Sequence, residues 1–274
     1  MKKASILLLI VFTLTAELKA QFSEVGVLGG VSYYMGDLNP NAPFKQVMPA
    51  GGLFYRHNFN DRFSLRGTVT VAYLKADDAK SKVQAQIDRN LNFESLLVDF
   101  AITGEFNFFR YEPGDMKHPF TPFLFGGIAL FKFNPKTTAA DGNKYDLQPL
   151  GTEGQGTTFY PDSKKYSLTT AAIPFGIGIK ANISKNFTVG LEWGMRYTFT
   201  DYLDDVSGTY ASPNVVGAER GEIARELANR SNIDNEEIEG RQRGNSTTND
   251  WYSFALISVS FNIKARPDKC PAYQ

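Results

Sequence analysis

Phe187-Thr-Val-Gly-Leu-Glu-Trp-Gly-Met-Arg-Tyr-Thr-Phe-Thr200 decides how this chain is read. Phe187, Val189, Leu191, Trp193, Met195, Tyr197 and Phe199 share one parity; Thr188, Gly190, Glu192, Gly194, Arg196, Thr198 and Thr200 share the other. An unbroken period of two puts one face of a strand in an apolar medium and the other in a polar, small-residue one. Soluble strands average about 5–6 residues, whereas a tilted strand crossing a bilayer needs about 9–11. This stretch exceeds both, and its polar face is Gly and Thr with Glu192 and Arg196 as isolated charges, unlike the Lys- and Glu-studded face of a solvated sheet.

The same pattern recurs outward from it. Phe63, Leu65, Val69, Val71 and Tyr73 oppose Ser64, Arg66, Thr68 and Thr70. Leu96, Val98, Phe100, Ile102, Phe106 and Phe108 oppose Ser95, Asp99, Thr103, Glu105 and Asn107. Ala255, Ile257, Val259, Phe261 and Ile263 oppose Ser258, Ser260 and Asn262. Four weaker segments, Glu24–Met35, Met48–His57, Phe120–Phe133 and Tyr166–Ile183, carry Gly on the non-aromatic face and bring the count to eight. Gaps between segments switch between short (near Asn58–Asp61, Arg110–Pro119 and Ser184–Asn186) and long (near Asp37–Val47, Lys75–Asn90, Asn134–Lys165 and Leu203–Asp250). These features predict an all-β fold: an eight-stranded antiparallel transmembrane β-barrel with short periplasmic turns and long extracellular loops, set in outer-membrane lipid of a Gram-negative cell.

The ends fit that placement. Lys2 and Lys3, the apolar stretch Ala4–Thr15 and Leu18-Lys19-Ala20 read as a signal peptide over residues 1–20. The barrel then spans residues 21–263 and a periplasmic tail residues 264–274. Aromatic residues make up 14% of the chain, including 22 Phe and 13 Tyr, and are expected as two interfacial girdles. Tyr33, Tyr34, Tyr73, Phe93, Tyr166, Tyr202, Trp251 and Tyr252 fall at the long-loop end. Phe59, Phe63, Phe108, Phe109, Phe120, Phe187 and Phe261 fall at the short-turn end.

Inward parity collects Arg66, Lys180 and Arg196 against Asp99, Glu105 and Glu192. Arg66, Glu105, Lys180 and Glu192 each stand four or five residues from a short turn, hence in one layer. Buried charge needs partners, so these six are read as a lumen charge network that plugs the barrel, with an ion pathway as the alternative.

Chemistry is thinly supplied. Lys+Arg and Asp+Glu balance at 29 each, leaving no basic footprint for nucleic acid. His57 and His118 both map to the short-turn side, and one Cys cannot build a thiolate metal site. Gly151-Thr-Glu-Gly-Gln-Gly156 lacks the strand, helix and Lys of a phosphate cradle and reads as a flexible loop. Asp201, Asp204 and Asp205 read as a solvated loop base, with Ca²⁺ ligation as the alternative. No catalytic residue, metal or cofactor is expected. Glu219–Arg230 has helical spacing, packed on its own loop or offered to a partner. Cys270, in the periplasmic tail between Pro267 and Pro271, reads either as a passive thiol or as one half of an intermolecular disulfide.

Glu105-Phe-Asn-Phe-Phe-Arg-Tyr-Glu112, Phe120-Thr-Pro-Phe-Leu-Phe-Gly-Gly127, Leu147-Gln-Pro-Leu-Gly-Thr-Glu-Gly-Gln-Gly156, Ile173-Pro-Phe-Gly-Ile-Gly-Ile-Lys180 and Thr198-Phe-Thr-Asp-Tyr-Leu-Asp-Asp205 follow one another in an order that resembles the PorG family. These are the outer-membrane barrels of the type IX secretion system. The resemblance implies a non-enzymatic anchor or assembly component that tethers a periplasmic ring of PorK and PorN type. A small channel, an adhesin and a lipid-modifying barrel enzyme are the alternatives.

Overall fold

The computed structural model describes residues 22–40 and 42–264. The expected signal peptide and Cys270 lie outside the described residues. Eight long strands form the body: β1 (Phe22–Met35), β2 (Met48–Asn58), β3 (Phe63–Asp77), β4 (Asn92–Asn107), β5 (Phe120–Lys132), β8 (Thr169–Asn182), β9 (Phe187–Thr198) and β10 (Trp251–Lys264). Each pairs antiparallel with its chain neighbour, and β1 pairs β10 from Phe22↔Lys264 to Met35↔Trp251, closing the sheet. The result is a closed eight-stranded antiparallel barrel. Two shorter strands, β6 (Pro135–Thr138) and β7 (Lys144–Asp146), form a hairpin that continues the sheet from the long-loop end of β4.

Burial is inverted relative to a water-soluble domain. Ile128 and Leu53 are 69% and 63% exposed, while Asp99 and Glu105 are 0% and 2% exposed. Along β3 and β4 the exposed and buried positions alternate residue by residue, with the aliphatic and aromatic side chains outward. Closure leaves no unpaired edge, and the outward face is an apolar belt, so the body is built for a bilayer. No helix among the described residues is long and apolar enough to cross a membrane; the crossing is by strands.

The aromatic girdles depart from the sequence reading at one end. Phe59, Phe63, Phe108, Phe109, Phe120, Phe187 and Phe261 are exposed around the short-turn rim as expected. At the other rim Tyr34, Phe93 and Tyr252 turn inward and are fully buried. Tyr33 lies under Phe44 (ring centroids 4.8 Å apart) and accepts a hydrogen bond from Trp193 Nε1 at 3.1 Å. Tyr73 is exposed as expected, and Trp193, Phe199 and Phe44 add exposed aromatic surface towards this end. The reason is that the barrel continues above the expected membrane edge, where its interior must be filled by the barrel's own rings.

In β5 the aromatic face is the inner one. Phe123, Phe125 and Phe131 are buried, while Leu124, Ile128 and Leu130 face out. Room for these rings comes from glycines on β8, which pairs with β5, and on β9 beyond it. A Cβ on Gly178 would stand 2.5 Å from Phe123 Cζ, and one on Gly194 would stand 2.5 Å from Phe125 Cζ. Gly194→Ala is therefore expected to destabilise the barrel by about 1–3 kcal/mol through overpacking. The loss should show as a lower temperature for conversion of the folded band in unheated electrophoresis. Phe125→Leu should restore part of it in the double variant.

Candidate functional site

The lumen is filled in layers, and each layer draws on strands far apart in sequence. In the layer nearest the short turns, the Glu105 carboxylate of β4 is held by three cations. Arg56 Nε lies 2.9 Å from Oε2, Lys180 Nζ 2.9 Å from Oε2, and Arg66 Nε 3.2 Å from Oε1. Arg66 also pairs with Glu192 of β9, and Arg56 Nη1 reaches Glu24 of β1 at 3.1 Å. Ser260 of β10 donates to Glu24 at 2.7 Å and Asn58 donates to it at 3.0 Å. The remaining strand, β5, contributes rings: Arg66 stacks 5.2 Å from the Phe125 centroid, and Lys180 Nζ lies 5.0 Å from that of Phe123. Packing cations on aromatic faces adds attraction while excluding water.

A second layer lies nearer the loops. Arg196 Nε stands 3.5 Å from Asp99 Oδ2, which also accepts from the Tyr252 hydroxyl at 2.6 Å, and the guanidinium covers Phe254 at 4.0 Å. The six lumen residues named from sequence thus fall into two groups. Arg66, Glu105, Lys180 and Glu192 meet in one layer, and Asp99 with Arg196 in the other. Sequence parity missed Glu24 and Arg56, which complete the first layer. Their signal was present: Arg56 stands two residues after Phe54 and two before Asn58, all on one parity.

Both ends of the lumen are closed. At the short-turn end, residues 108–119 fold back and insert Tyr111, which is buried. Its hydroxyl donates to Asn182 Oδ1 at 2.8 Å and lies 3.0 Å from Thr188 Oγ1, with Lys180 Nζ 5.1 Å from the ring. Asn182 Nδ2 clasps the returning backbone at Glu112 O (2.8 Å) and Asp115 O (3.1 Å). His57 and His118 sit at this rim; His118 Nδ1 is 2.9 Å from Asp115 Oδ2.

At the other end the four long loops form one packed cap. Arg243 of the last loop bonds Glu153 of the third at 3.0 Å, and its Nη1 donates to the Asp205 carbonyl at 2.5 Å. Arg89 of the second loop binds Asp78 at 2.8 Å and donates to the backbone of Arg243 (2.6 Å) and of Asp37 (2.9 Å) in the first loop. The Tyr34 hydroxyl lies between Asp204 (2.5 Å) and Asp250 (2.8 Å).

Three expectations for these loops need correction. The glycine run Gly151–Gly156 is a wedge: Gly151, Gly154 and Gly156 take positive φ, and Thr152, Glu153 and Gln155 are buried between them. Asp204 and Asp205 are buried too; Asp205 accepts from Thr152 Oγ1 (2.5 Å) and Tyr166 (2.6 Å). Among the described residues no cluster of three or more His, Cys, Asp or Glu has the geometry to hold a metal ion. The helix expected at Glu219–Arg230 is two shorter ones, Pro213–Arg220 and Glu222–Ala228, broken at Gly221 (φ 92°). Ala224 and Ala228 pack with Val216 and Ala211 inside the same loop.

Burial raises the carboxyl of Asp201 to about 7. The same cause raises Asp205 to about 6, with Arg243, Thr152 and Tyr166 pulling the other way. Asp204 and Asp250 are also held above the usual range, by burial first and then by neighbouring carboxylates.

Two predictions follow from these contacts. Glu105→Gln leaves three buried cations short of a partner and should cost about 3–5 kcal/mol, read from the melting of the folded band; adding Lys180→Met should recover part of it. In the cap, an acid whose folded value is raised contributes stability that is present below its unfolded value and is lost as pH rises through the folded one. The cap should therefore melt at a lower temperature at pH 8 than at pH 5, the loss starting above the ordinary carboxylate range and being complete once pH passes about 7. Near-ultraviolet circular dichroism in detergent would follow it, and Asp201→Asn should flatten the dependence.

Among solved structures the chain is similar to several outer-membrane barrels. The N-terminal β-barrel domain of Pseudomonas aeruginosa OprF is 12% identical, over 89% of this chain and all of that one, with a TM-score of 0.38. Neisserial surface protein A is 10% identical, over 88% and 96%, with a TM-score of 0.40. OprG from Pseudomonas aeruginosa is 9% identical, over 92% and 99%, with a TM-score of 0.38. The barrel assignment rests on the strand register described above. No curated protein matches the sequence. A family model matches residues 2–151 and 155–216, and the chain belongs to that family, described as a domain of unknown function (DUF6089).

Proposed function

We propose that this protein is an outer-membrane anchor or assembly component of a secretion machine of type IX kind, tethering a periplasmic ring of PorK and PorN type. One observation carries the choice of a binding role over transport: the lumen is occupied from end to end. Tyr111 closes the short-turn end, two layers of paired charge and rings fill the middle, and the loop cap covers the other end. A solute would have to displace buried ion pairs, each costly to separate in a low-dielectric interior. Function is thereby left to the two rims. The resemblance to PorG supplies the identity of the machine, and the barrel rule that short turns face the periplasm supplies the orientation.

In this reading the short turns and the tail carrying Cys270 face the ring, and the barrel gives the ring a fixed purchase on outer-membrane lipid. Binding alone is the mechanism, with no chemical step. The packed loop cap favours a second reading, a surface-binding or adhesive role at the outer face, since loops of this length exceed what barrel closure requires.

Mild crosslinking in native membranes, followed by purification and electrophoresis with and without reductant, tests the tether. A reductant-sensitive adduct with a periplasmic lipoprotein, lost in Cys270→Ser, is the expected result. A reductant-resistant adduct unchanged by Cys270→Ser would move the contact from the tail to the turns. Recovery of the barrel with no partner would overturn the tethering role.

A further inference from the structure

The cap contains a cleft that neither barrel closure nor a periplasmic tether requires. It encloses about 390 Å³ between the helix Gln84–Arg89 of the second loop and residues 231–244 of the last. Ligand-binding clefts run from about 300 to 1,000 Å³, so it is of a size for one or two sugar rings or a comparable solute. Its floor is apolar, with Tyr210 and Ile238 buried and Ile233 half-buried. Asp88, Arg241 and Gln242 stand exposed around the opening.

The charges in its walls are mostly spent. Arg89 is held by Asp78, and Arg243 by Glu153. The Asp37 carboxylate accepts from the Asn245 backbone N–H at 3.0 and 3.1 Å. At the rim Arg241 pairs with Glu237 at 3.8 Å, Asp88 accepts from Gln84 at 2.8 Å and Gln242 donates to the Gly244 carbonyl at 3.0 Å. Among the described residues no cation of the cleft is thus left unpaired for an anionic ligand, and these exposed side chains can exchange their contacts for a neutral one. Arg243, which is 3% exposed, lines the cleft and retains an Nε with no hydrogen-bond partner among the described residues.

From this we infer that the cleft binds a neutral saccharide unit presented at the outer face. A pyranose offers an apolar C–H face to a floor such as Tyr210, Ile233 and Ile238. Its vicinal hydroxyls suit planar, two-pronged partners, here the carboxylate of Asp88, the guanidinium of Arg241 and the amide of Gln242. The inference does not depend on the tethering role; it requires only that the long loops face outward.

Saturation-transfer NMR on the full chain in a sugar-free detergent tests it, with D-glucose, D-galactose and N-acetylglucosamine as probes and an uncharged tetrapeptide as the comparison. The expected result is transfer to the C–H protons of at least one sugar, with affinity reduced about tenfold or more in Asp88→Ala/Arg241→Ala, consistent with loss of charge-assisted hydrogen bonds. Both positions are solvent-exposed, and retention of the folded band confirms that the variant barrel is intact. Gln242→Ala provides a second, milder variant that should weaken the same transfer. Absence of transfer to all three sugars, transfer unchanged in both variants, or stronger transfer to the tetrapeptide would each overturn the assignment.

Discussion

Everything in this molecule is arranged around where charge can go. The outside of the body is set by hydrocarbon, so the polar half of every strand must turn inward, and an eight-stranded barrel is too narrow to hold a column of water there. The Glu105 carboxylate answers that constraint. One anion from β4 gathers cations from β2, β3 and β8, and those cations bring in Glu24 of β1 and Glu192 of β9. Such a cluster is not the most stabilising possible filling, since hydrophobic residues of similar volume often do as well. It does fix register. A slip of one residue in β3 or β4 would carry Arg66 or Glu105 into lipid, at about 2–4 kcal/mol for a basic residue near the midplane. An apolar interior would offer no such penalty.

The two ends are then closed by different means for the same physical reason. At the short-turn end a single side chain suffices: Tyr111 fills the mouth, caps Lys180 with its ring, and places its hydroxyl against Asn182 and Thr188. The other end is covered by four loops that must satisfy their own backbone. They do so with arginines that bridge loops, half-buried Arg89 and buried Arg243, and with the carboxylates of Asp78, Glu153 and Asp205. The cap is joined to the barrel through Tyr34 of β1, which holds Asp204 and Asp250 together.

Legibility in the sequence followed the period. β3, β4, β9 and β10 were readable residue by residue, because lipid outside and a polar lumen inside write the same alternation into each. Parity also placed Arg66, Glu105, Lys180 and Glu192 at one height. It missed Arg56 because Arg56-His57-Asn58 is polar on both parities, and Phe54 beside it resembles a lipid-facing residue. In β5 both faces are apolar, and what sends Phe123 and Phe125 inward is the absence of side chains at Gly178 and Gly194 on other strands. Only spatial adjacency carries that information. The cap was least legible, since contacts such as Glu153 with Arg243 join residues 90 apart and leave no periodic trace.

A filled barrel separates its two faces chemically while joining them mechanically. Paired strands from Phe22 to Lys264 and two ionic layers lie between the two rims. The proposed tether would use the short-turn face but gives no reason for an outer cap with its own hydrogen-bonded interior and a cleft in its wall. Loops needed only to close a barrel could be a few residues long, and loops built for bulk alone would not bury Arg243 beside Glu153 in the wall of a cleft. The polar construction of the cap is therefore best understood as serving the outer face in its own right, with the barrel holding both faces at a fixed separation.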